Sequence, residues 1–187
     1  VLENAPVGTT VGKLSAFDPD GGDPTFTLSS ACSSGGPFAN GDFTLNGSTL
    51  KTAVVFDFEA TPSRAICVEA NDGQGGSFAA PLTVSITDVN EPPTGIVLHG
   101  NTVWEGAAVG TQVGSFSTSG DPEGSQKFSY SLVSGDGSAD NGKFTIDDDR
   151  LKIAIVPDFA TQHIYYIRVR SIDTGAPNQY VEKQFAV

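Results

Sequence analysis

An internal repeat constrains the fold of this chain more than any other feature of its sequence. Val7-Gly8-Thr9 reappears as Val109-Gly110-Thr111, an offset of 102 residues, and further matches keep offsets between 101 and 103 residues. Because the offset barely drifts, the chain contains two copies of one domain. We place the first domain at residues 1–90 and the second at residues 91–187. The linker at residues 88–93 contains two prolines, which hold the backbone extended and exclude a helix there.

The hydrophobic pattern within each copy has a period of two. Apolar and polar residues alternate from Leu82 to Ile86 and from Tyr165 to Val169, which is typical of strands with one buried face. Asn46-Gly47-Ser48 predicts the tight turn of a hairpin, and Asp147-Asp148-Asp149 takes the equivalent position in the second copy. Many short alternating strands predict an all-β chain of two Ig-like Greek-key β-sandwiches in tandem.

Net charge and missing motifs exclude several classes of function. The formal charge of −12 disfavours nucleic acid and anionic membrane surfaces, since both are bound through Lys and Arg. No apolar run approaches the length that spans a bilayer, so we predict no direct membrane insertion of this segment. The sequence contains no nucleophile elbow, zinc-protease motif, P-loop or dinucleotide fingerprint, and we predict that the chain is not an enzyme.

Acidic residues of the first copy concentrate at predicted strand ends and turns. Alternate strand ends of a sandwich meet at the same pole, so we expect these carboxylates to form two clusters at opposite ends. Two like charges about 6 Å apart repel by roughly 0.7 kcal/mol even in water. A hard divalent cation removes that cost, and Ca²⁺ takes six to eight carboxylate and carbonyl oxygens. The acids concerned are Glu3, Asp18, Asp20, Asp57, Glu59, Asp72, Asp88 and Glu91.

Five motifs in order make the chain resemble a tandem pair of cadherin repeats over nearly all of its length. They are Glu3-Asn4, Asp18-Pro19-Asp20, Asp57-Phe58-Glu59, Ala70-Asn71-Asp72-Gly73 and the linker Asp88-Val89-Asn90-Glu91-Pro92-Pro93. Each motif alone is weak, but their order and spacing, followed by a second copy, are specific. The resemblance implies cadherin-like sandwiches on the cell surface, with Ca²⁺ as the cofactor between successive repeats.

The resemblance also implies a set of ligands for the calcium ions. The middle site would use Glu3, Asp57 and Glu59 of the first repeat, the carbonyl of Val89, the side chains of Asn90 and Glu91, and Asp121, Glu123 and Asp173 of the second repeat. Asp18, Asp20 and Asp72 match the half-site that faces a preceding repeat, and we expect that half-site to bind weakly.

Three other residues are candidates for covalent modification. Cys32 and Cys67 are the only cysteines, Cys67 is expected on the outward face of its strand, and an extracellular location favours a disulfide between them. The alternative is two free thiols. Asn46 begins a glycosylation sequon, Asn46-Gly47-Ser48, although a hairpin turn explains the same residues.

These observations lead to two functional hypotheses. The first is a calcium-dependent extracellular adhesion or structural spacer segment of a membrane-anchored protein, made rigid by Ca²⁺ between its repeats. Its partners would be neighbouring repeats and a protein ligand, either another copy or a different protein. The second is a carbohydrate-binding module of a secreted or cell-surface protein, with exposed aromatic residues as a platform for sugar. Trp104, Tyr165 or Tyr166, and Tyr180 are the candidates, although a tryptophan such as Trp104 more often packs against its own domain near the linker.

Overall fold

Antiparallel β-strands form nearly all the regular structure in this computed structural model, which describes residues 1–124 and 126–187. Two three-residue 3₁₀ turns, Asn40–Asp42 and Asn141–Lys143, are the helical elements of the described residues. The chain divides into two compact units, Val1–Val89 and Asn90–Val187. The predicted all-β class is confirmed. Among the described residues, no helix is long and apolar enough to cross a membrane.

The first unit is a sandwich of two three-stranded sheets. One sheet has the order β1-β4-β3 and the other β2-β5-β6. The hairpin between β3 and β4 turns at Gly47, whose φ of 59° is easily reached by glycine. The strands are β1 (Thr10–Lys13), β2 (Thr25–Leu28), β3 (Phe43–Asn46), β4 (Thr49–Thr52), β5 (Ser63–Asn71) and β6 (Ser77–Ser85).

The core of the first unit lies between these two sheets. Ile66 and Val68 of β5 and Val84 at the end of β6 are buried, as their alternation predicts. Leu82 is the exception, because 40% of its surface is exposed. The same alternation predicts that Leu82 is buried with Val84, but it lies where β6 borders an open groove instead of the core.

Hydrogen bonds close the first unit near the linker by tying its opening segment to its last residues. Leu2 forms a parallel bridge with Thr87, the Thr87 amide donates to the Val1 carbonyl at 2.8 Å, and the Glu3 amide donates to the Thr87 carbonyl at 3.1 Å. The beginning and the end of the unit therefore run side by side in the same direction.

The second unit has the same architecture with one more strand. Its sheets have the orders β10-β11-β8-β7 and β13-β12-β9. Tyr165, Ile167 and Val169 are buried at alternate positions, as predicted. The strands are β7 (Gly95–His99), β8 (Gln112–Ser119), β9 (Ser129–Leu132), β10 (Phe144–Asp147), β11 (Arg150–Ile153), β12 (Tyr166–Ile172) and β13 (Tyr180–Ala186).

Cys32 and Cys67 form the predicted disulfide, so the alternative of free thiols is wrong for this structure. The expectation that Cys67 faces outward is also wrong, because its side chain is fully buried. The segment that follows Cys32 covers this face of β5. Within that segment the Asn40 side-chain oxygen accepts a hydrogen bond from the Cys67 amide at 2.9 Å, and the Ala39 amide donates to the Ala65 carbonyl.

Candidate metal-binding clusters

Four carboxylates gather near the end of the first unit, and we call Glu3, Asp57, Glu59 and Asp88 the first cluster. Glu3 is buried, with 2% of its surface exposed. One of its oxygens accepts a hydrogen bond from the Phe58 amide at 2.6 Å, and the other accepts one from the Val89 amide at 2.8 Å. Glu3 therefore fixes the start of the linker against the turn that carries Asp57 and Glu59.

Charge repulsion is evident in the first cluster. Asp57 and Glu59 are exposed, and Asp57 Oδ1 accepts a hydrogen bond from the Ala60 amide at 2.8 Å. Partial desolvation raises the pKa of Glu59, and the negative charges of Glu3, Asp88 and Asp57 raise it further. Neighbouring carboxylates thus oppose the ionisation of Glu59, as expected for a site that a cation would stabilise.

Four carboxylates of the second unit form a second cluster, consisting of Glu91, Asp121, Glu123 and Asp173. Asp173 is 2% exposed, and its Oδ1 accepts hydrogen bonds from the amides of Gly175 and Gln179 at 3.0 and 2.9 Å. Its Oδ2 accepts one from the side-chain amide of Asn90 at 3.0 Å. The first residue of the second unit is thereby held on the cluster.

Asp121 and Glu123 share the centre of the second cluster. Asp121 Oδ1 accepts a hydrogen bond from the Glu123 amide at 3.2 Å, and Glu123 Oε1 accepts one from the Glu91 amide at 2.8 Å. Asp121 Oδ2 is buried and accepts no hydrogen bond from any residue that the structure describes. A buried carboxylate oxygen without a hydrogen-bond donor has lost its contacts with water and gained none in exchange. This raises the free energy of the folded state unless a proton or a cation binds there.

The titration of the two acids reflects this arrangement. Desolvation raises the pKa of Asp121 to about 6, and the Glu123 side chain, as a hydrogen-bond partner of the protonated acid and as a negative charge, raises it further together with the charge of Asp173. Burial acts on Glu123 in the same direction, but several hydrogen bonds, led by the one from the Glu91 amide, together outweigh it and lower the pKa of Glu123. At neutral pH both groups carry charge in close proximity, an arrangement that a divalent cation would relieve.

Two residues that position Asn90 were not identified from the sequence. The side-chain nitrogen of Gln126 donates a hydrogen bond to Asn90 Oδ1. The side-chain oxygen of Gln126 accepts one from the Thr174 backbone amide at 3.1 Å. At Gly175, a β-carbon would collide with the Asn90 side chain, so glycine is required for this approach. Neither a glutamine in a turn nor one glycine among 22 carries a recognisable pattern.

The half-site residues Asp18, Asp20 and Asp72 lie in turns of the first unit. Asp18 Oδ1 accepts from the Asp20 amide at 3.0 Å. Asp72 Oδ1 accepts from the amides of Gln74 and Gly76 at 2.7 and 2.9 Å. The hydrogen bond from Gln74 is the main cause that lowers the pKa of Asp72. These carboxylates organise their own loops, and their binding of calcium stays a prediction.

Both clusters have the chemistry that a calcium ion requires, because all their donors are oxygen atoms. Other acids of the chain pair with bases, for example Asp42 with Arg64 at 3.0 Å and Glu182 with Arg170 at 2.6 Å. In the parts of the chain that the structure describes, no lysine or arginine forms an ion pair with Glu3, Asp57, Glu59, Asp121 or Asp173. The clusters fit a hard divalent cation as the balancing charge.

The aromatic residues suggested for sugar binding do not share one environment. Tyr165 is buried at 5% exposure, and the guanidinium group of Arg170 covers the Tyr180 ring at 4.4 Å from its centroid. Trp104 is 88% exposed, so the expectation that it packs against its own domain is wrong. Tyr166 is exposed on β12.

Comparisons with known proteins identify relatives of this chain. No family model matches it. It is 30% identical to human Protocadherin Fat 1 over 188 residues, which cover 95% of this chain and 4% of the protocadherin. It is 29% identical to rat Cadherin-22 over 201 residues, covering 100% of this chain and 24% of that protein. The chain therefore spans less than a quarter of the length of either relative.

Solved structures agree on the fold. The first two cadherin domains of human Protocadherin-24 superpose with a TM-score of 0.72 and 19% sequence identity, covering 99% of this chain and 90% of that structure. The match extends over both units, and at this level of identity it establishes the fold alone. By sequence similarity and by fold together, the chain consists of two extracellular cadherin-like repeats.

Proposed function

We propose that this chain is a calcium-dependent segment of an adhesion protein, in which Ca²⁺ bound between the two repeats makes a flexible pair of sandwiches rigid. Its partners would be neighbouring repeats of the same protein and a protein ligand, which could be another copy. The proposed ligands are Glu3, Asp57, Glu59, the Val89 carbonyl, Asn90, Glu91, Asp121, Glu123 and Asp173, with Asp18, Asp20 and Asp72 facing a preceding repeat.

The main observation in support of this proposal is that Asp121 Oδ2 is buried and accepts no hydrogen bond from a described residue. The positions of the two clusters along the chain support sharing of the ions. Glu3 of the first cluster binds the Val89 amide, and Asp173 of the second cluster binds the side chain of Asn90. These are consecutive residues, so the linker backbone runs directly from one cluster into the other.

Bound calcium would supply positive charge and oxygen coordination to both clusters. Without it, each cluster keeps mutually repelling carboxylates, and the linker is held at each side only by hydrogen bonds. With calcium bound, carboxylates of both repeats would coordinate the same ions. Bending at the linker would then require breaking bonds between calcium and its oxygen ligands. Extracellular calcium modules bind at about 10⁻⁴ to 10⁻³ M, so the segment would be loaded outside cells.

The experiment compares the two repeats with each other. Amide exchange is used to monitor the thermal unfolding of each repeat within the whole chain, in chelator and in 10⁻² M Ca²⁺. Three proteins are compared, namely the unmodified chain, Asp57→Asn and Asp147→Asn. Sharing of ions predicts that Asp57→Asn in the first repeat reduces the stabilisation of the second repeat by calcium. Asp147→Asn is the matched control, because Asp147 lies in a hairpin and pairs with Lys152.

Small-angle scattering supplies the mechanical result. We expect the distribution of interdomain distances to narrow on addition of calcium in the unmodified chain and in Asp147→Asn, and to stay broad in Asp57→Asn. Equal flexibility in calcium and in chelator would contradict the proposal. If calcium stabilises the second repeat equally in Asp57→Asn and in the unmodified chain, each repeat binds its ions separately and the ions are not shared.

The carbohydrate-binding alternative has less support. It needs a continuous platform of aromatic rings, whereas Tyr165 is buried and Tyr180 is covered by Arg170. The relatives of the chain are cadherins and protocadherins.

A further inference from the structure

Three hydroxyl groups join the two sheets of the second unit, and we call Thr118, Tyr130 and Ser171 the hydroxyl triad. Thr118 belongs to β8 in one sheet, and Tyr130 of β9 and Ser171 of β12 belong to the other. The Thr118 hydroxyl oxygen lies 2.9 Å from that of Tyr130 and 2.6 Å from that of Ser171. A hydroxyl group has one proton to donate and two lone pairs, so Thr118 forms both hydrogen bonds at once.

The triad adds directed contacts to an apolar core. Ser171 is fully buried, as are Ile167 and Val169 on the same face of β12. Tyr130 is half-buried, and its ring stacks on that of Phe116 with 5.4 Å between the centroids. Apolar packing has no preferred direction, whereas a hydrogen bond constrains both a distance and an angle. A buried group of paired hydroxyls therefore fixes the relative position of the strands that carry it.

The triad lies next to the second cluster along the chain. Thr118 precedes Asp121 by three residues, and Ser171 precedes Asp173 by two. Thr118 and Ser171 are each the penultimate residue of their strand, and the two strands lie in different sheets. The hydrogen bond between Thr118 and Ser171 therefore joins the two strand ends that lead into Asp121 and Asp173.

The first unit has apolar residues at all three equivalent positions. Two positions follow from strand pairing, because β2 and β5 pair in the same register as β9 and β12. The third follows from the 102-residue offset of the repeat, which relates Leu14 to Phe116, whose amides donate to equivalent hairpin carbonyls. The replacements are Ala16 for Thr118, Phe26 for Tyr130 and Ala70 for Ser171. The hydroxyls are thus present or absent as a set, as expected when each serves as a partner of another.

We propose that the hydroxyl triad positions the second cluster, by holding the ends of β8 and β12 at the separation at which Asp121 and Asp173 bind the same ion. Backbone hydrogen bonds orient each carboxylate within its own loop. The Glu123 amide donates to Asp121, and the amides of Gly175 and Gln179 donate to Asp173. The triad joins the two strands from which these loops start. The inference rests on the proposed function and extends it to residues that would not contact an ion.

The test uses variants that separate the loss of positioning from the effect of an unpaired hydroxyl. Thr118→Val keeps the shape of the side chain and removes both hydrogen bonds. The triple variant Thr118→Ala, Tyr130→Phe, Ser171→Ala has the residues of the first unit and leaves no hydroxyl of the triad unpaired. Thr118→Ser is the conservative variant, because it keeps the hydroxyl group. Tyr166→Phe is the matched control, because it removes a hydroxyl from an exposed residue of β12.

The first measurement is amide exchange of the whole chain in chelator, which does not depend on calcium. The amides of Glu123 and Gln179 report on the two loops, because they donate to the carboxylates of the cluster. The Ile153 amide, near the start of β8, reports on unfolding of the whole unit. In Thr118→Val and the triple variant, we expect exchange at both loop amides to be at least about tenfold faster relative to Ile153. The conservative variant and the control should leave this ratio unchanged.

The second measurement is the dissociation constant for Ca²⁺ by titration calorimetry, at a temperature where every variant is folded. We expect Thr118→Val and the triple variant to bind calcium about tenfold more weakly, and Thr118→Ser and Tyr166→Phe to bind it like the unmodified chain.

Two results would overturn the proposal. The first is a triple variant that binds calcium as tightly as the unmodified chain, since the triad would then contribute to stability alone. The second is an exchange ratio that is equal in all variants. If the unmodified chain binds no calcium, the proposed function fails, and the exchange ratio in chelator alone decides whether the triad holds the two strand ends.

Discussion

Replacement of Asp121 by asparagine should stabilise the second repeat without calcium and destabilise it with calcium. The folded repeat raises the pKa of Asp121 from the ordinary 3.8 to about 6. Folding therefore favours the protonated acid, and the free energy of unfolding in chelator decreases as the pH rises from about 4 through 6. The asparagine side chain of the variant has no charge to bury, while its oxygen can still accept the hydrogen bond from the Glu123 amide.

The magnitude follows from the same shift. The interval between 3.8 and about 6 corresponds to about 3 kcal/mol at 1.36 kcal/mol per pH unit. Asp121 and Glu123 titrate as a pair, and the pKa of Glu123 is lowered. The stabilisation from Glu123 therefore offsets part of the destabilisation from Asp121. We expect Asp121→Asn to raise the free energy of unfolding of the second repeat by about 1–3 kcal/mol at pH 7 in chelator.

In calcium, the unmodified chain should be more stable than Asp121→Asn. An ion present at a hundred times its dissociation constant stabilises the folded state by about 2.7 kcal/mol, and Asp121→Asn removes a proposed ligand. Urea unfolding of the whole chain at pH 4, 5.5 and 7, in chelator and in calcium, measures both effects. A variant less stable than the unmodified chain in chelator at pH 7, or an unmodified chain with no pH dependence between 4 and 7, would refute this reasoning.

Three further predictions concern the scaffold. Glu3→Ala should lower the free energy of unfolding of the first repeat by about 2–4 kcal/mol in chelator, since two backbone amides lose their acceptor, and Glu3→Gln should restore about half of the loss in urea unfolding. Joint replacement of Cys32 and Cys67 by serine opens a loop with a sequence separation of 35, and calorimetry should find a loss of about 3–4 kcal/mol in the first repeat with the second unchanged. Burial opposes the charge of Asp140, but its ion pair with Lys143 at 2.8 Å and the hydrogen bonds from Tyr166 and Gln162 together outweigh burial and lower its pKa, so this contribution is lost as the pH falls below 3.8. Asp140→Asn should lower the free energy of unfolding of the second repeat by about 1–3 kcal/mol at pH 7 by urea titration, and a loss that persists at pH 2 would contradict the ion pair as its cause.

The repeat and the alternation of apolar residues were sufficient to predict the β-sandwich class, because burial on one face of a strand has a period of two. They were not sufficient to predict what covers a strand. Cys67 alternates with Ile66, which predicts an outward side chain, but the segment after Cys32 covers that face. Leu82 alternates in step with Val84, which predicts a core position, but the groove beside it is open.

The acidic residues of the clusters were predictable from motifs at strand ends, but their different electrostatic roles were not. Asp121 and Glu123 are two residues apart and have the same charge. Burial opposes the charge of both, but one pKa is raised and the other lowered because Glu123 accepts more hydrogen bonds, including one from the Glu91 amide. Such differences depend on individual hydrogen-bond donors, which a sequence pattern does not specify. The contributions of Gln126 and Gly175 to the placement of Asn90 are of the same kind.

The parallel bridge between Leu2 and Thr87 has a mechanical consequence for the first repeat. Tension applied to the two ends of this unit pulls the opening segment and the closing segment in opposite directions along their common axis. The hydrogen bonds of Val1 and Glu3 with Thr87, and that of the Glu3 carboxylate with the Val89 amide, then lie across the pulling direction and bear the load together. Rupture requires them to break at once and not one after another as in unzipping, so the joint resists stretching more than its few bonds suggest.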